Sequence, residues 1–251
     1  PQAHATASLG VQPSAVQESI YDAICDGADV RPIIRRTCQE RLDILPSTID
    51  LAGAEVELAS AMARETRLKT ALAPILSEYD FILLDTPPSL GLLTINALTA
   101  AQYVLIPVQA EYYALASLPA LNSTIRLVRQ HLNPALAILG VVVTMYDPRT
   151  RLAREVAEQV RGHFGQLTFD TIVPRSVRVS ESPSHGLPLL LYDPDGKAAA
   201  AYSEIARQIF IKLQFAYQDA LQGPQDTQNL SVSRETLTPH PNPDTGGSQN
   251  G

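Results

Sequence analysis

The chain has 251 residues, 45% of them apolar, which is enough for one α/β domain with a sizeable core or for two small domains. Its net charge of −7 and isoelectric point near 5.2 argue against a constitutive nucleic-acid binder, although they leave room for a local basic patch. Two distant cysteines, Cys25 and Cys38, form no metal or redox motif, and no apolar run approaches the roughly 20 residues of a membrane span.

The N-terminal third predicts mainly helices. Residues 1–11 are small and polar, as in a loop, and Ser14 is predicted to cap a helix that ends near Cys25. Residues 42–45 indicate a short strand, and residues 58–79 an amphipathic helix. The inward positions of that helix are predicted to be Met62, Leu68, Leu72, Ile75 and Leu76.

The segment Tyr79–Gly91, YDFILLDTPPSLG, is the most informative part of the sequence. Its four apolar residues, Phe81 to Leu84, predict a strand buried in a parallel sheet, and the prolines after Asp85 stop it. Asp85 therefore lies at the C-terminal tip of a strand, where open α/β sheets bind their ligands. This is the Walker B arrangement, in which the carboxylate holds Mg²⁺. The alternative is an aspartate that merely caps a turn.

From residue 94 onward, helical and apolar strand-like segments alternate. Predicted strands are 103–108, 137–144 and 167–173; predicted helices are 94–101, 113–131, 151–164 and 197–221; residues 176–188 are predicted to be an irregular loop. This alternation predicts an α/β fold with a doubly wound, mostly parallel sheet and helices on both faces.

Residues 222–251 differ from the rest in composition. They are rich in Pro, Gly, Asn, Thr, Ser and Gln and contain few large apolar side chains. Such a segment cannot bury enough surface to order itself, so we expect a domain over residues 1–221 followed by a disordered tail.

Six segments in sequence order resemble the ParA/Soj family of partition ATPases: PQAHATASLG, RETRLKTAL, YDFILLDTPPSLG, LIPVQAEYYAL, GVVVTMYDPRTRLAREV and VPRSVRVSESPSHGLPLLLYDPDGKAAAAY. The resemblance covers about residues 1–215. It implies a P-loop NTPase-like fold of the deviant Walker A class, with ATP and Mg²⁺ as cofactors. It also implies an ATP-dependent homodimer, slow hydrolysis, non-specific binding of duplex DNA and a ParB/Spo0J-type partner. The expected location is the cytoplasm, on the nucleoid, without stable membrane association.

The resemblance also has a gap. Members of the family open with a strand, a Gly-rich loop with two lysines, a helix and a second strand, and these 251 residues contain no such loop. Since the chain opens on Pro1 rather than Met, we expect a fragment or a processed product. The catalytic residues are expected in the missing part, so the chain by itself is expected not to hydrolyse ATP. A non-catalytic module that binds DNA or a partner remains the alternative.

The resemblance extends the candidate nucleotide site beyond Asp85. Gln109 and Glu111 follow the strand 103–108, and the resemblance implies that they lie near the nucleotide or the dimer interface; ordinary loop polarity is the alternative. The edges that surround the adenine base are implied to be Thr144 with Met145 and Pro174 with Arg175, while Met145 could equally be core filler. His4 stands where the family usually has Asn, so no contact role is transferred to it.

Basic residues of the C-terminal half are candidates for binding DNA. They are Arg149, Arg151, Arg154, Arg175, Arg178, Arg207 and Lys212. Acidic residues are interspersed, so most should form a solvated face, with Arg175 and Arg178 as the first candidates for phosphate contacts. His185 lies in SPSHG, a loop typical of the family, without an assigned chemical role. A MinD-type positioning ATPase is a further alternative, but it would need a basic amphipathic C-terminal helix, and the tail after Gln222 carries only Arg234.

Overall fold

The computed structural model of the protein describes residues 1–222, except for the side chains of Tyr113, Ala114 and residues 216–222. The predicted disordered tail, 222–251, therefore lies outside the described residues apart from Gln222, which ends the last helix. Among the helices that the structure describes, none has both the length and the apolar character needed to cross a membrane.

A parallel sheet forms the centre of the C-terminal part. Strand β3 (Tyr103–Gln109) pairs with β4 (Ala137–Thr144), from Tyr103 opposite Ala137 to Gln109 opposite Thr144. The segment 168–174 runs parallel to β4 on its other side through two isolated bridges, Val141 to Thr168 and Tyr146 to Pro174. The two predicted strands at β3 and β4 are confirmed, whereas the predicted strand 167–173 is an irregular third member of the sheet.

Helices cover both faces of this sheet. Val141 and Val143 of β4 pack into a cluster with residues of helices α7 (Leu118–His131) and α8 (Arg151–Phe164). Val142 faces the opposite way and packs against Phe169 and Ile205. Alternate residues of one strand thus bury themselves in two helical layers, because successive side chains of a strand point to opposite faces. This confirms the predicted doubly wound α/β class. The helices of this part are α6 (Leu92–Ala100), α7 (Leu118–His131), α8 (Arg151–Phe164), α9 (Val177–Glu181), α10 (Leu189–Tyr192) and α11 (Lys197–Gln222).

The N-terminal part is built from short helices around a second core. They are α1 (His4–Ser8), α2 (Ile20–Cys25), α3 (Val30–Ile33), α4 (Ala54–Leu58) and α5 (Arg67–Leu72), and a small antiparallel pair joins β1 (Arg35–Arg36) to β2 (Asp43–Ile44). Residues 4–8, predicted as a loop, are helical. The cap of α2 is Ser19 rather than Ser14: Ser19 accepts from the Tyr21 N–H, and Asp22 accepts from the Ser19 N–H, which completes a capping box.

The single helix predicted over residues 58–79 is wrong. The chain instead forms α4, a turn, and α5 followed by a 3-10 turn (Ala73–Ile75), and Met62, predicted to be buried, is 88% exposed. The fully buried Asn96 of α6 explains the break, since its Oδ1 accepts from the Leu68 N–H (3.1 Å) and its Nδ2 donates to the Arg64 carbonyl (2.7 Å). A distant side chain thus satisfies one of the free N–H groups at the start of α5, that of Leu68.

The predicted strand Phe81–Leu84 is not a strand in the structure. Ile82 and Leu84 pack on the N-terminal core, but Phe81 and Leu83 are 54% and 89% exposed, and within the described part of the chain no backbone hydrogen bond pairs residues 81–85. The run of apolar residues predicts a strand, but a strand forms only where a neighbouring strand accepts and donates its backbone hydrogen bonds. The described residues place no strand beside this segment.

Candidate functional site

The carboxyl ends of the parallel segments meet at one edge of the sheet. We call residues 109–111, 144–147 and 173–175 the strand-tip edge. The Ala110 N–H donates to the Thr144 carbonyl at 2.8 Å, which extends the β3–β4 pairing beyond Gln109. On the other side, the Tyr146 N–H donates to Val173 O (3.1 Å) and the Arg175 N–H donates to Tyr146 O (2.9 Å). Backbone hydrogen bonds therefore bring together the predicted residues Gln109, Glu111, Thr144, Met145, Pro174 and Arg175.

Met145 is the strained residue of this edge. Its φ of 53° lies in the left-handed region, which is uncommon for a residue with a long side chain. The side chain is 42% exposed, so the alternative that Met145 is core filler is wrong. Strained backbone of this kind clusters at binding sites, where the surrounding structure enforces it. Here the backbone bonds of Thr144 and Tyr146 hold it in place.

Arg175 lies among the acidic groups of the strand-tip edge. Its Nη1 is 3.6 Å from Glu111 Oε1, and both side chains are at least half exposed. An exposed pair at this distance contributes little to stability, about 0–1 kcal/mol. Glu111 thus partly neutralises the charge of Arg175. Its role near the nucleotide or the dimer interface stays a prediction, with ordinary loop polarity as the alternative.

Asp147 belongs to the same edge and was not predicted as a site residue. Its carboxylate accepts two hydrogen bonds from the Arg149 guanidinium (2.9 and 2.7 Å) and one from the Arg149 N–H (3.0 Å). These bonds, with a smaller contribution from the charge of Arg175, lower the pKa of Asp147 to about 2. The Asp-Pro pair at 147–148 is a turn signal that could have identified it.

Asp85 is separate from these contacts. It is exposed, and among the described residues it has no hydrogen bond or ion pair, including with members of the strand-tip edge. In the described part of the chain, no group of three or more His, Cys, Asp or Glu side chains could hold a metal ion. An unpaired carboxylate fits Mg²⁺, which takes one or two protein carboxylates and completes its shell with water and phosphate oxygens.

Arg178, the second candidate for binding DNA, lies in a different cluster. Its Nη1 donates to Glu181 Oε2 at 3.1 Å, and its guanidinium carbon lies 5.9 Å from the centroid of the Tyr192 ring. The predicted irregular loop 176–188 contains α9 and a 3-10 turn (Ser182–His185), so that prediction is wrong for residues 177–185.

Most of the other basic candidates for binding DNA contact nearby groups. Arg151 pairs with Glu155 (2.6 Å), Arg207 pairs with Glu204 (2.6 Å), and Lys212 Nζ lies 5.2 Å from the centroid of the Phe169 ring. These contacts agree with the prediction that most of the basic residues form a solvated, charge-compensated face.

Comparison with known proteins extends this description. Residues 1–138 match the family model described as AAA domain. The chain is 51% identical over 209 residues to the sporulation initiation inhibitor protein Soj of Bacillus subtilis, with 83% of each chain covered. It is 46% identical to the chromosome partitioning protein ParA of Myxococcus xanthus, over 83% of this chain and 74% of the relative.

Solved structures agree with the fold. Cobyrinic acid a,c-diamide synthase from Mycobacterium smegmatis, with bound ADP and magnesium, superposes with a TM-score of 0.73 at 32% identity, over 90% of this chain and 83% of that one. A complex of a Cyanothece McdA variant with ATP gives a TM-score of 0.74 at 20% identity, over 83% and 82%. The second likeness shows the fold alone, which is that of P-loop NTPases.

Proposed function

Since the chain belongs to the ParA/Soj family of chromosome-partitioning ATPases, we propose that the protein binds ATP with Mg²⁺, dimerises when ATP is bound, and binds duplex DNA without sequence preference. Residues 1–221 would form the ATPase domain and residues 222–251 a separate tail. A ParB/Spo0J-type protein would be its partner and would stimulate hydrolysis. The protein would act in the cytoplasm on the nucleoid.

The proposal that the protein binds ATP rests on the strand-tip edge. Open α/β sheets bind ligands beyond the carboxyl ends of their strands, and this edge collects the six candidate side chains by backbone hydrogen bonds. Thr144 with Met145 and Pro174 with Arg175 would flank the base, and Gln109 and Glu111 would lie toward the phosphates or the second protomer. Bound Mg²⁺ would neutralise charge on the transferred phosphoryl group. Asp85, with no competing partner among the described residues, would hold the ion.

Two exposed arginines support the DNA part. The side chains of Arg175 and Arg178 are 66% and 59% exposed, and within the described part of the chain each has one carboxylate within 4 Å. A guanidinium has five N–H donors, so one carboxylate leaves several free for phosphate oxygens. Both pairs are solvent-exposed, so exchanging the carboxylate for a phosphate costs little.

The test is DNA binding, with ATP and Mg²⁺, by the chain with the family's strand and Gly-rich loop restored before Pro1, which we call the full-length protein. We expect similar affinity for duplexes of unrelated sequence and a steep loss of affinity as salt rises, because phosphate contacts release counterions. The variant R175E/R178E should lose most of this binding at low salt. Because Arg175 is also placed beside the base, R178E alone is the variant that should weaken DNA binding and retain nucleotide binding. The variant R151E/R207E, which changes the same charge on two paired arginines, is the matched control. Unchanged DNA affinity in R175E/R178E would contradict the assignment.

A further inference from the structure

Arg178 belongs to a cluster of four side chains that the proposed function does not explain. The ring of Tyr192, at the end of α10, stacks on His185 with centroids 4.9 Å apart and an interplanar angle of 24°. The Arg178 guanidinium lies 5.9 Å from the centroid of the same ring. The Tyr192 hydroxyl donates to Glu181 Oε2 at 3.2 Å, and this oxygen also accepts from Arg178. Tyr192 therefore contacts all three other members.

The backbone that carries His185 is itself fixed. Gly186, with φ of +62°, ends the 3-10 turn and approaches Gly10 so closely that a Cβ on Gly186 would lie 3.2 Å from Gly10 Cα. The tight approach and the positive φ of Gly186 both favour glycine here, and they pack the SPSHG turn against the segment after α1. The stacking partner of Tyr192 thus comes from a turn with little freedom to move.

The arrangement restricts a side chain that is otherwise mobile. An arginine side chain has many rotamers and loses this freedom when it binds a phosphate. The lost entropy lowers the affinity. Contact of the guanidinium with an aromatic face and a shared carboxylate removes part of that freedom before the ligand arrives. Because Arg178 is still 59% exposed, the contacts orient it without covering it.

We propose that Tyr192, supported by the stacked His185, is a positioning residue that orients Arg178 for binding a backbone phosphate of duplex DNA. This inference rests on the proposed function of Arg178. It gives the SPSHG turn a role, namely that the turn supplies the support for the aromatic ring. Glu181 completes the arrangement by holding both the hydroxyl and the guanidinium through one oxygen.

The experiment measures duplex DNA affinity and its salt dependence for the full-length protein with ATP and Mg²⁺. We expect Y192L to weaken binding severalfold at low salt and to reduce the slope of log affinity against log salt by up to about 0.9, the value for one phosphate contact. Y192F keeps the ring and loses only the hydroxyl, so its loss should be smaller. The loss of DNA affinity in H185A should lie between the losses in Y192L and Y192F. Y202L, at an exposed tyrosine of α11 outside the cluster, is the matched control.

A double-mutant cycle separates positioning from general destabilisation. In an R178A background, Y192L should cause no further loss of DNA affinity, because the residue that it positions is gone. Equal losses in both backgrounds would overturn the inference. If R178A weakens binding but Y192L, Y192F and H185A do not, the inference is wrong and the proposed function stands. If R178A changes neither affinity nor salt slope, the DNA-binding role of Arg178 fails, and the inference fails with it.

Discussion

Replacing Gly140 with alanine tests how the third segment of the sheet reaches the strand-tip edge. Gly140 lies in β4, and a Cβ built there would be 2.3 Å from Phe169 Cε2 and 2.7 Å from the Leu167 carbonyl oxygen. Ordinary carbon–carbon contacts are about 3.5–4.0 Å, so the ring would have to move by more than about 1 Å. Phe169 is 1% exposed and packs among Val142, Val173 and Ile205, so it has no space to move into.

The magnitude follows from two opposing terms. Alanine in place of a strand glycine gains about 0.5–1 kcal/mol from lower backbone entropy in the unfolded chain. Overpacking a filled core costs about 1–3 kcal/mol, and more where backbone atoms must move, as the Leu167 carbonyl must here. Because backbone atoms must move, the cost lies at the upper end of this range, and after subtraction of the entropy gain we expect G140A to lower the free energy of unfolding by about 2 kcal/mol. Displacement of residues 168–175 should also weaken DNA binding, since Arg175 lies at their end.

The assay is urea denaturation of the full-length protein, with G162A as the matched control. Gly162 lies in the exposed face of α8, and nothing lies within 4 Å of a Cβ built there. The same substitution should raise stability by about 0.5–1 kcal/mol, because alanine favours the helix. Opposite signs at the two glycines support the account. A G140A protein as stable as the wild type would refute the packing of Phe169 against β4.

Three further predictions concern charge and domain limits. E111Q should raise affinity for duplex DNA up to about fivefold at low salt, because it removes the carboxylate that pairs with Arg175. The control E78Q removes an equal charge from an exposed pair with Arg31 and should not raise this affinity. Equal DNA affinities of the two variants would show that Glu111 does not weaken phosphate binding by Arg175. Because the native pKa of Asp147 is about 2 against an unfolded value near 3.9, its stabilising contribution is complete above about pH 4 and is lost as the pH falls toward 2. The stability difference between wild type and D147N should shrink over that range, and a difference independent of pH would contradict this. Limited proteolysis should remove residues 222–251 first and leave a resistant domain; a tail as protected as α7 would count against the proposed division.

The sequence predicts the C-terminal part well because its segments are regular. The strand Ala137–Thr144 and the helix Arg151–Phe164 have the predicted bounds, since each combines an uninterrupted pattern with a clear end signal, the Thr150 cap in the second case. The predicted alternation of strands and helices also gives the correct fold class.

Predictions fail where a distant residue decides the local structure. The break before α5 depends on Asn96, which follows it by 28 residues, and the segment 81–84 depends on whether a strand lies beside it. Neither the contact with Asn96 nor the presence of a neighbouring strand can be predicted from the residues around each segment. The same holds for the site: the resemblance supplied Arg178, but its contact with Tyr192 joins two residues whose relation appears only after folding.

ATP hydrolysis by the full-length protein tests the central claim most directly. Phosphate release would be measured against Mg²⁺ concentration for the wild type, D85A and D80A, the last of which removes an exposed aspartate five residues earlier. If Asp85 holds Mg²⁺, the wild type and D80A should hydrolyse ATP at similar rates. D85A should hydrolyse ATP at least about tenfold more slowly, or need a correspondingly higher Mg²⁺ concentration. Turnover by D85A at the wild-type rate and Mg²⁺ dependence would contradict the account.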